Sequence, residues 1–265
     1  MQVLPSLFVS HGAPTFALRP GAAGAALSAF GRALERPRAV VIVSPHWMTR
    51  GRVEVSSAST PETIHDFGGF DRALYGLHYP APGDPAVAAR AVELLKGAGW
   101  PASANERHGL DHGAWVPLMH LYPQADVPVV QVSMPAELDA ALAFKLGRAL
   151  APLAQMGVLV IGSGSLTHNL YEFRQGSTAG AAYAREFAQW VRAAVERGDA
   201  DSIVRALEVA PHAARAHPTA EHFLPLLVAL GAAPALLPAT VLEGGIVDAV
   251  LAMDSFAFGR AVAMH

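Results

Sequence analysis

The sequence predicts an α/β fold: three layers in a single domain, with a mixed, largely parallel central sheet and helices on both faces. Three observations predict it. Short runs rich in β-branched and apolar residues alternate with longer helical stretches. The runs are continuously apolar, as in strands buried on both faces. The 265 residues contain no internal repeat, low-complexity tract or linker composition, so one catalytic domain over 1–265 is the simplest organisation.

In chain order, Ser6–Ser10 (SLFVS) reads as the first strand and Ala22–Glu35 as the first helix. Strands at Ala39–Ser44 and Val53–Ser56 follow. Residues Ser57–Gly83 then form a long irregular stretch. Loops of that length in a compact domain tend to be functional or disordered, and its aromatics (Phe67, Phe70, Tyr75, Tyr79) favour an ordered pocket wall. Helix Pro85–Ala98, strand Val127–Ser133, helix Ala136–Ala151 and strand Val158–Gly162 continue the alternation. Helices at Ala179–Glu196 and Ser202–Leu207 and an apolar run near Ala235–Leu242 close it.

Composition excludes several classes. With 52% hydrophobic and 15% charged residues the chain is not disordered. A formal net charge of -3 argues against a nucleic-acid surface. No uninterrupted apolar run approaches the roughly 18–20 residues of a membrane span. The start, Met1-Gln2-Val3-Leu4-Pro5, has no basic segment ahead of an apolar one, so the cytoplasm is the expected location. Zero Cys excludes disulfides, thiolate metal sites and Fe–S clusters, whereas His numbers 12. Any transition metal must be held by imidazole and carboxylate.

Three histidines follow expected strands. His11 comes after Leu7-Phe8-Val9-Ser10, His46 after Val41-Ile42-Val43-Ser44-Pro45, and His168 after Val158–Gly162 and a short loop. In open α/β sheets ligands bind outside the carboxyl ends of strands, so the three imidazoles can converge. A cysteine-free His cluster suits Zn, Fe or Mn. Any one of them alone reads as a loop or capping residue; the shared topological position carries the inference. His112 lies between glycines in Gly109-Leu110-Asp111-His112-Gly113, and its neighbour Asp111 implies no dyad. His222 follows Thr219, a potential helix cap, which would put Glu221 and His222 in a first helical turn. By itself His222 reads as a half-exposed helical residue. His65 and His78 belong to the aromatic loop as pocket wall; His108, His120, His212, His217 and His265 read as surface or structural. Gly162-Ser163-Gly164-Ser165 lacks the Lys of a phosphate loop and the spacing of a nucleophile elbow.

Seven segments in order resemble the class III extradiol ring-cleavage dioxygenases, in the 4,5-DOPA extradiol dioxygenase branch. They are Ser10-His11-Gly12-Ala13-Pro14, Ser44-Pro45-His46-Trp47, Thr63 to Phe70 (TIHDFGGF), Tyr79 to Gly83 (YPAPG), Gly109 to Trp115 (GLDHGAW), Gly162 to Leu170 (GSGSLTHNL) and His217 to Leu226 (HPTAEHFLPL). The resemblance implies a divalent metal on His11, His46 and His222, with His168 either a fourth ligand or a catalytic acid/base beside it. It implies His112 as a second catalytic histidine. The wider class usually supplies Glu as third ligand, so Glu221 rivals His222; two His and a carboxylate suit Fe(II), and three or four His suit Zn. The implied reaction opens a catechol ring, DOPA-like, with O2. His65, Phe67 and Tyr79 would contact the substrate, Fe(II) would serve activity and Zn2+ would compete for the site. A zinc metallohydrolase on the same cluster and a non-catalytic binding protein of the same fold stand as alternatives. Oligomeric state and any role of Arg19, Arg50 or Arg72 at a substrate carboxylate are open.

Overall fold

The computed structural model describes residues 3–177 and 179–259. Its centre is an eight-stranded mixed sheet in the order β4-β3-β5-β2-β6-β1-β10-β7. The strands are β1 (Ser6–Ser10), β2 (Ala39–Thr49), β3 (Val53–Ser56), β4 (Ala102–Asn105), β5 (Val129–Pro135), β6 (Val158–Gly164), β7 (Ala239–Leu242) and β10 (Ser255–Phe258); β8 (Ile246–Val247) and β9 (Leu251–Ala252) form a separate hairpin. β5, β2, β6 and β1 run parallel, as do β3 and β4, while the β3–β5, β1–β10 and β10–β7 pairs are antiparallel. Every residue of β1, β5 and β6 is buried, which is why these strands read as continuous apolar runs.

The helices are α1 (Gly21–Ala33), α2 (Pro85–Gly97), α3 (His112–Leu121), α4 (Ala140–Leu150), α5 (Ala182–Arg197), α6 (Ala200–Val204), α7 (Ala206–Val209), α8 (Ala213–Ala216) and α9 (Leu224–Ala232). Successive residues of a strand face opposite sides, and β6 shows what covers each. A β-carbon on Gly162 would lie 1.9 Å from the Pro225 carbonyl oxygen in α9. The next residue, Ser163, donates a hydrogen bond to the Gly113 carbonyl in α3. Thus α3 covers one face, with α1 packed on it, and α9 covers the other, with α4 outside.

Several expectations need correction. Helices α3 and α9 are absent from the sequence-based assignment because both are apolar nearly all round and lack an amphipathic period. Pro117 within α3 also reads as a breaker. β4 is short and polar, and the β8–β10 region was not anticipated at all. The expected helix Ser202–Leu207 is two short helices, α6 and α7. His265, expected as a surface residue at a frayed terminus, lies outside the described residues. Among the described residues no helix is long and apolar enough to cross a membrane.

Candidate metal and active site

The site lies at the carboxyl ends of the central parallel strands and is assembled around the end of β6. The His11 N–H donates to the Gly164 carbonyl at 2.8 Å, so the residue leaving β1 is tied to its neighbour strand. The Ser165 N–H donates to the His222 carbonyl at 2.9 Å, and the His168 N–H to the Ala216 carbonyl at 2.8 Å. A β-carbon on Gly164 would sit 2.3 Å from the His222 carbonyl oxygen, so glycine is what lets this turn close on the strand. His46 is not after its strand, as expected, but inside β2, which runs on to Thr49 with a register shift between Val43 and Met48. That irregularity re-aims the side chain toward the cluster. Gly113 matters for the same reason: its missing β-carbon would lie 2.3 Å from Ser44 Oγ and 3.0 Å from His46 Cδ2.

One ring nitrogen from each of His11, His46 and His222 lies within 4.8 Å of the other two. The hydrogen-bond network assigns their tautomers. Ser163 spends its single proton on the Gly113 carbonyl, so its Oγ accepts from His11 Nδ1 at 2.9 Å. A carboxylate only accepts, so Glu221 takes the Nδ1 proton of His222 at 3.0 Å. Both residues then present a bare Nε2. The Nε2 atoms of His11 and His46 are 3.1 Å apart. Two nitrogens each about 2.1 Å from one ion at a right angle would be about 3 Å apart. The donor set therefore fits a divalent cation. Burial and the neighbouring histidines push His11 well below its ordinary pKa and His46 to about 2, so the imidazoles are neutral and able to ligate.

Of the two rivals for third ligand, the geometry favours His222. Glu221 is held to about pKa 2 by the His222 hydrogen bond against the effect of burial, and that bond fixes the orientation of the His222 ring. Thr219 does not cap a helix; its hydroxyl donates to Glu221 at 3.0 Å, and His222 sits in the turn ahead of α9, whose N-cap is Phe223. His168 stacks face to face on His222, with centroids 3.5 Å apart and planes 8° apart. It groups with Glu221 and His222, not with the His11–His46–His222 trio. Burial and His222 lower it to about pKa 3.

His112 begins α3, whose N-cap is the buried Asp111. Asp111 bonds Gln131 and the helix end, with no bond to the His112 ring. Instead Asp66, from the long loop, accepts from both the backbone N–H and Nδ1 of His112, at 2.9 and 2.8 Å, leaving a bare Nε2. Asp66 Oδ2 is also 3.6 Å from His46 Nδ1. Burial opposes its ionisation, but the His112 hydrogen bonds hold it below the usual carboxylate range. Neither Asp66 nor Ser163 was singled out from sequence. Ser163 is the next-to-last residue of β6 and pairs with Val9 of β1, which sets it beside His11.

A cavity of about 330 Å³ opens on the cluster; His46, His112, His168 and His222 line it together with apolar residues that include Phe67, Phe70, Leu170, Phe173 and Leu251. Phe67 thus reaches it. His65 does not line it; its Nε2 meets the Leu77 carbonyl at 3.0 Å and its ring packs edge-on to Phe67. Tyr79 is 2% exposed, with its hydroxyl donating to the Tyr122 carbonyl at 2.9 Å, a core position away from the cavity. His78 is likewise outside the lining. His120 and His217 bond backbone carbonyls, His108 stacks on Trp47 and His212 pairs with Glu186, all structural roles.

Comparison with known proteins gives the family. Residues 24–244 match the family described as the catalytic LigB subunit of aromatic ring-opening dioxygenase. The chain is 41% identical to the 4,5-DOPA dioxygenase extradiol of Escherichia coli (strain K12), over 97% of this chain and 95% of that one. It is 38% identical to the protein of the same name from Beta vulgaris, over 96% of each. A crystal structure of an uncharacterized Escherichia coli K12 protein superposes with a TM-score of 0.77 at 34% identity, covering 97% of this chain and all of that one. Such dioxygenases depend on a metal, and the histidine cluster is where this chain can hold it. The chain belongs to the LigB family and is an extradiol, aromatic ring-opening dioxygenase.

Proposed function

We propose that the protein, acting as one catalytic domain, opens the ring of a catechol of the DOPA type with O2, using Fe(II) held by His11, His46 and His222. The observation that carries this is the convergence of three neutral imidazoles at the strand ends beside a cavity with two further histidines. When bound, Fe(II) supplies redox chemistry toward O2 and acidifies the catechol hydroxyls.

The chain's own residues do the rest. His168 is the acid/base. Among the described residues its ring makes no side-chain hydrogen bond, so a ring nitrogen is free to take a hydroxyl proton and return it. The bare Nε2 of His112 accepts from the substrate, oriented by Asp66. Phe67 and Phe70 flank the ring and exclude water. Three His ligands also suit Zn2+, which competes for the site and which purified protein can carry without its being the working metal. Cytoplasmic placement rests on the sequence reading.

Anaerobic Fe(II) loading followed by air and a panel of catechols tests the proposal. A yellow ring-opened semialdehyde is the expected product. No ring-opened product from any catechol would overturn it, and hydrolysis of an ester or amide with Zn2+ alone would favour the metallohydrolase.

A further inference from the structure

A second cavity, of about 290 Å³, shares Ala13 with the lining of the histidine cavity. Met253, which lines it, packs on Gly12: a β-carbon there would lie 2.7 Å from the Met253 sulfur. Phe16, Ile246 and Val247 add apolar surface. Among the described residues of its lining only Arg19 and Asp248 carry a formal charge. The two are close to one another and unpaired. Gly176 stands between them: its N–H donates to Asp248 Oδ1, and a β-carbon on it would lie 3.6 Å from Arg19 Nη1. Among the described residues, however, the Arg19 guanidinium has no hydrogen-bond or ionic partner, and Asp248 Oδ2 accepts no hydrogen bond. Asp248 is only 8% exposed. A carboxylate so deeply placed, with one oxygen idle, is costly unless a donor or cation meets it. Next to Arg19, α1 begins at Gly21 with no side-chain cap and no acidic residue in its first turn. Its first N–H groups add positive potential on the Arg19 side.

We infer that this cavity binds an α-amino-carboxylate group, with Arg19 taking the carboxylate and Asp248 Oδ2 the ammonium. A simple anion would be repelled by Asp248, and a simple cation by Arg19. A ligand carrying both charges on neighbouring atoms answers both at once, by charge-assisted hydrogen bonds. Two sources supply this group. One is a free amino acid. The other is the tail of a DOPA-type catechol whose ring lies at the histidines beyond Ala13; this source rests on the catechol-opening reading, and the first does not.

The test uses the full chain as wild type, Arg19→Met and Asp248→Asn. Methionine keeps an aliphatic stem, and asparagine keeps an oxygen for the Gly176 N–H. In the first arm, calorimetry measures binding of L-phenylalanine, which has no catechol to open. 3-Phenylpropionate, which lacks the ammonium, and phenylalanine methyl ester, which lacks the carboxylate, are the controls. We expect L-phenylalanine to bind about tenfold or more tighter than either control, and each substitution to remove that advantage. In the second arm, the Fe(II)-loaded proteins give the ratio of kcat/KM for L-DOPA to that for 4-ethylcatechol. A ratio that falls about tenfold or more in both variants, through KM, assigns the group to the substrate tail. A ratio held within about twofold, with L-phenylalanine binding lost in both variants, assigns it to a free amino acid. The inference is overturned if neither the ratio nor the binding responds to both substitutions. Failure to open either catechol strikes the ring-opening reading instead, and calorimetry alone then decides the site.

Discussion

The two flanks of the histidine cluster are built on different principles. On the His112 flank, a carboxylate from a distant loop grips the residue twice, through its backbone N–H and its Nδ1. On the His168 flank, the ring stacks on His222 and, among the described residues, makes no side-chain hydrogen bond, while the carboxylate there, Glu221, grips His222 instead. A ring held by a carboxylate has one tautomer and one free nitrogen, which suits a ligand or a fixed acceptor. A ring held only by stacking keeps its orientation without committing either nitrogen. That freedom suits a group that must accept a proton and give it back.

The largest effect that can break this contrast comes from the ligands common to both flanks. His46→Ala should lower metal content from near one per chain to less than about one tenth, and remove activity, because three protein ligands are needed to hold the ion. Elemental analysis decides, and full occupancy in the variant would sink the site assignment. Next in size is the contrast itself. His168→Ala should keep the metal and lose roughly 10²–10⁴-fold in kcat, the usual contribution of a general acid/base. His112→Ala should keep the metal and act more on KM. Equal losses in kcat from both variants would erase the distinction between the flanks.

Smaller effects separate the two carboxylates. Glu221→Gln should weaken metal affinity by about 10–100-fold, the typical cost of removing an outer-shell partner. Asp66→Asn should leave metal affinity nearly unchanged and reduce turnover. A titration with a competing chelator distinguishes them, and a larger affinity loss in Asp66→Asn would reverse the assignment.

The smallest effect is on stability of the metal-free protein. Folding lowers His168 to about 3 and His217 to about 4 from 6.5. Below pH 6.5 the unfolded chain binds protons that the folded chain refuses, so stability falls as pH falls through this window. Each group contributes up to about 1.4 kcal/mol of loss per pH unit below its ordinary value. Asp111 works in the opposite sense: raised from 3.8 to about 6 by burial, it favours the folded state on acidification and offsets part of the loss. The Tm should therefore drop between pH 7 and 5.5, and the drop should shrink in His168→Asn. An unchanged drop in that variant would mean His168 is not held neutral by its surroundings.

Some of this was legible without coordinates. Continuous apolar runs announce buried parallel strands, and histidines after several such runs land at the strand ends where ligands bind; their shared position, not any one of them, pointed to His11. The absence of Cys limited the ligands to imidazole and carboxylate, and seven ordered segments carried the family. Helices α3 and α9 were hidden because burial on all sides removes the period by which a helix is recognised. What only the tertiary structure decided are the contacts made through space. Asp66 meets His112 across 46 positions and Ser163 meets His11 across 152. Glu221 and His222 are adjacent in sequence, and only the turn ahead of α9 decides which of them faces the metal position. Tyr79, aromatic and in the right loop, turns into the core because its hydroxyl finds the Tyr122 carbonyl there. Residue type and local pattern are properties of the chain, whereas tautomer, orientation and partner depend on which groups the fold brings within hydrogen-bond distance, about 3 Å.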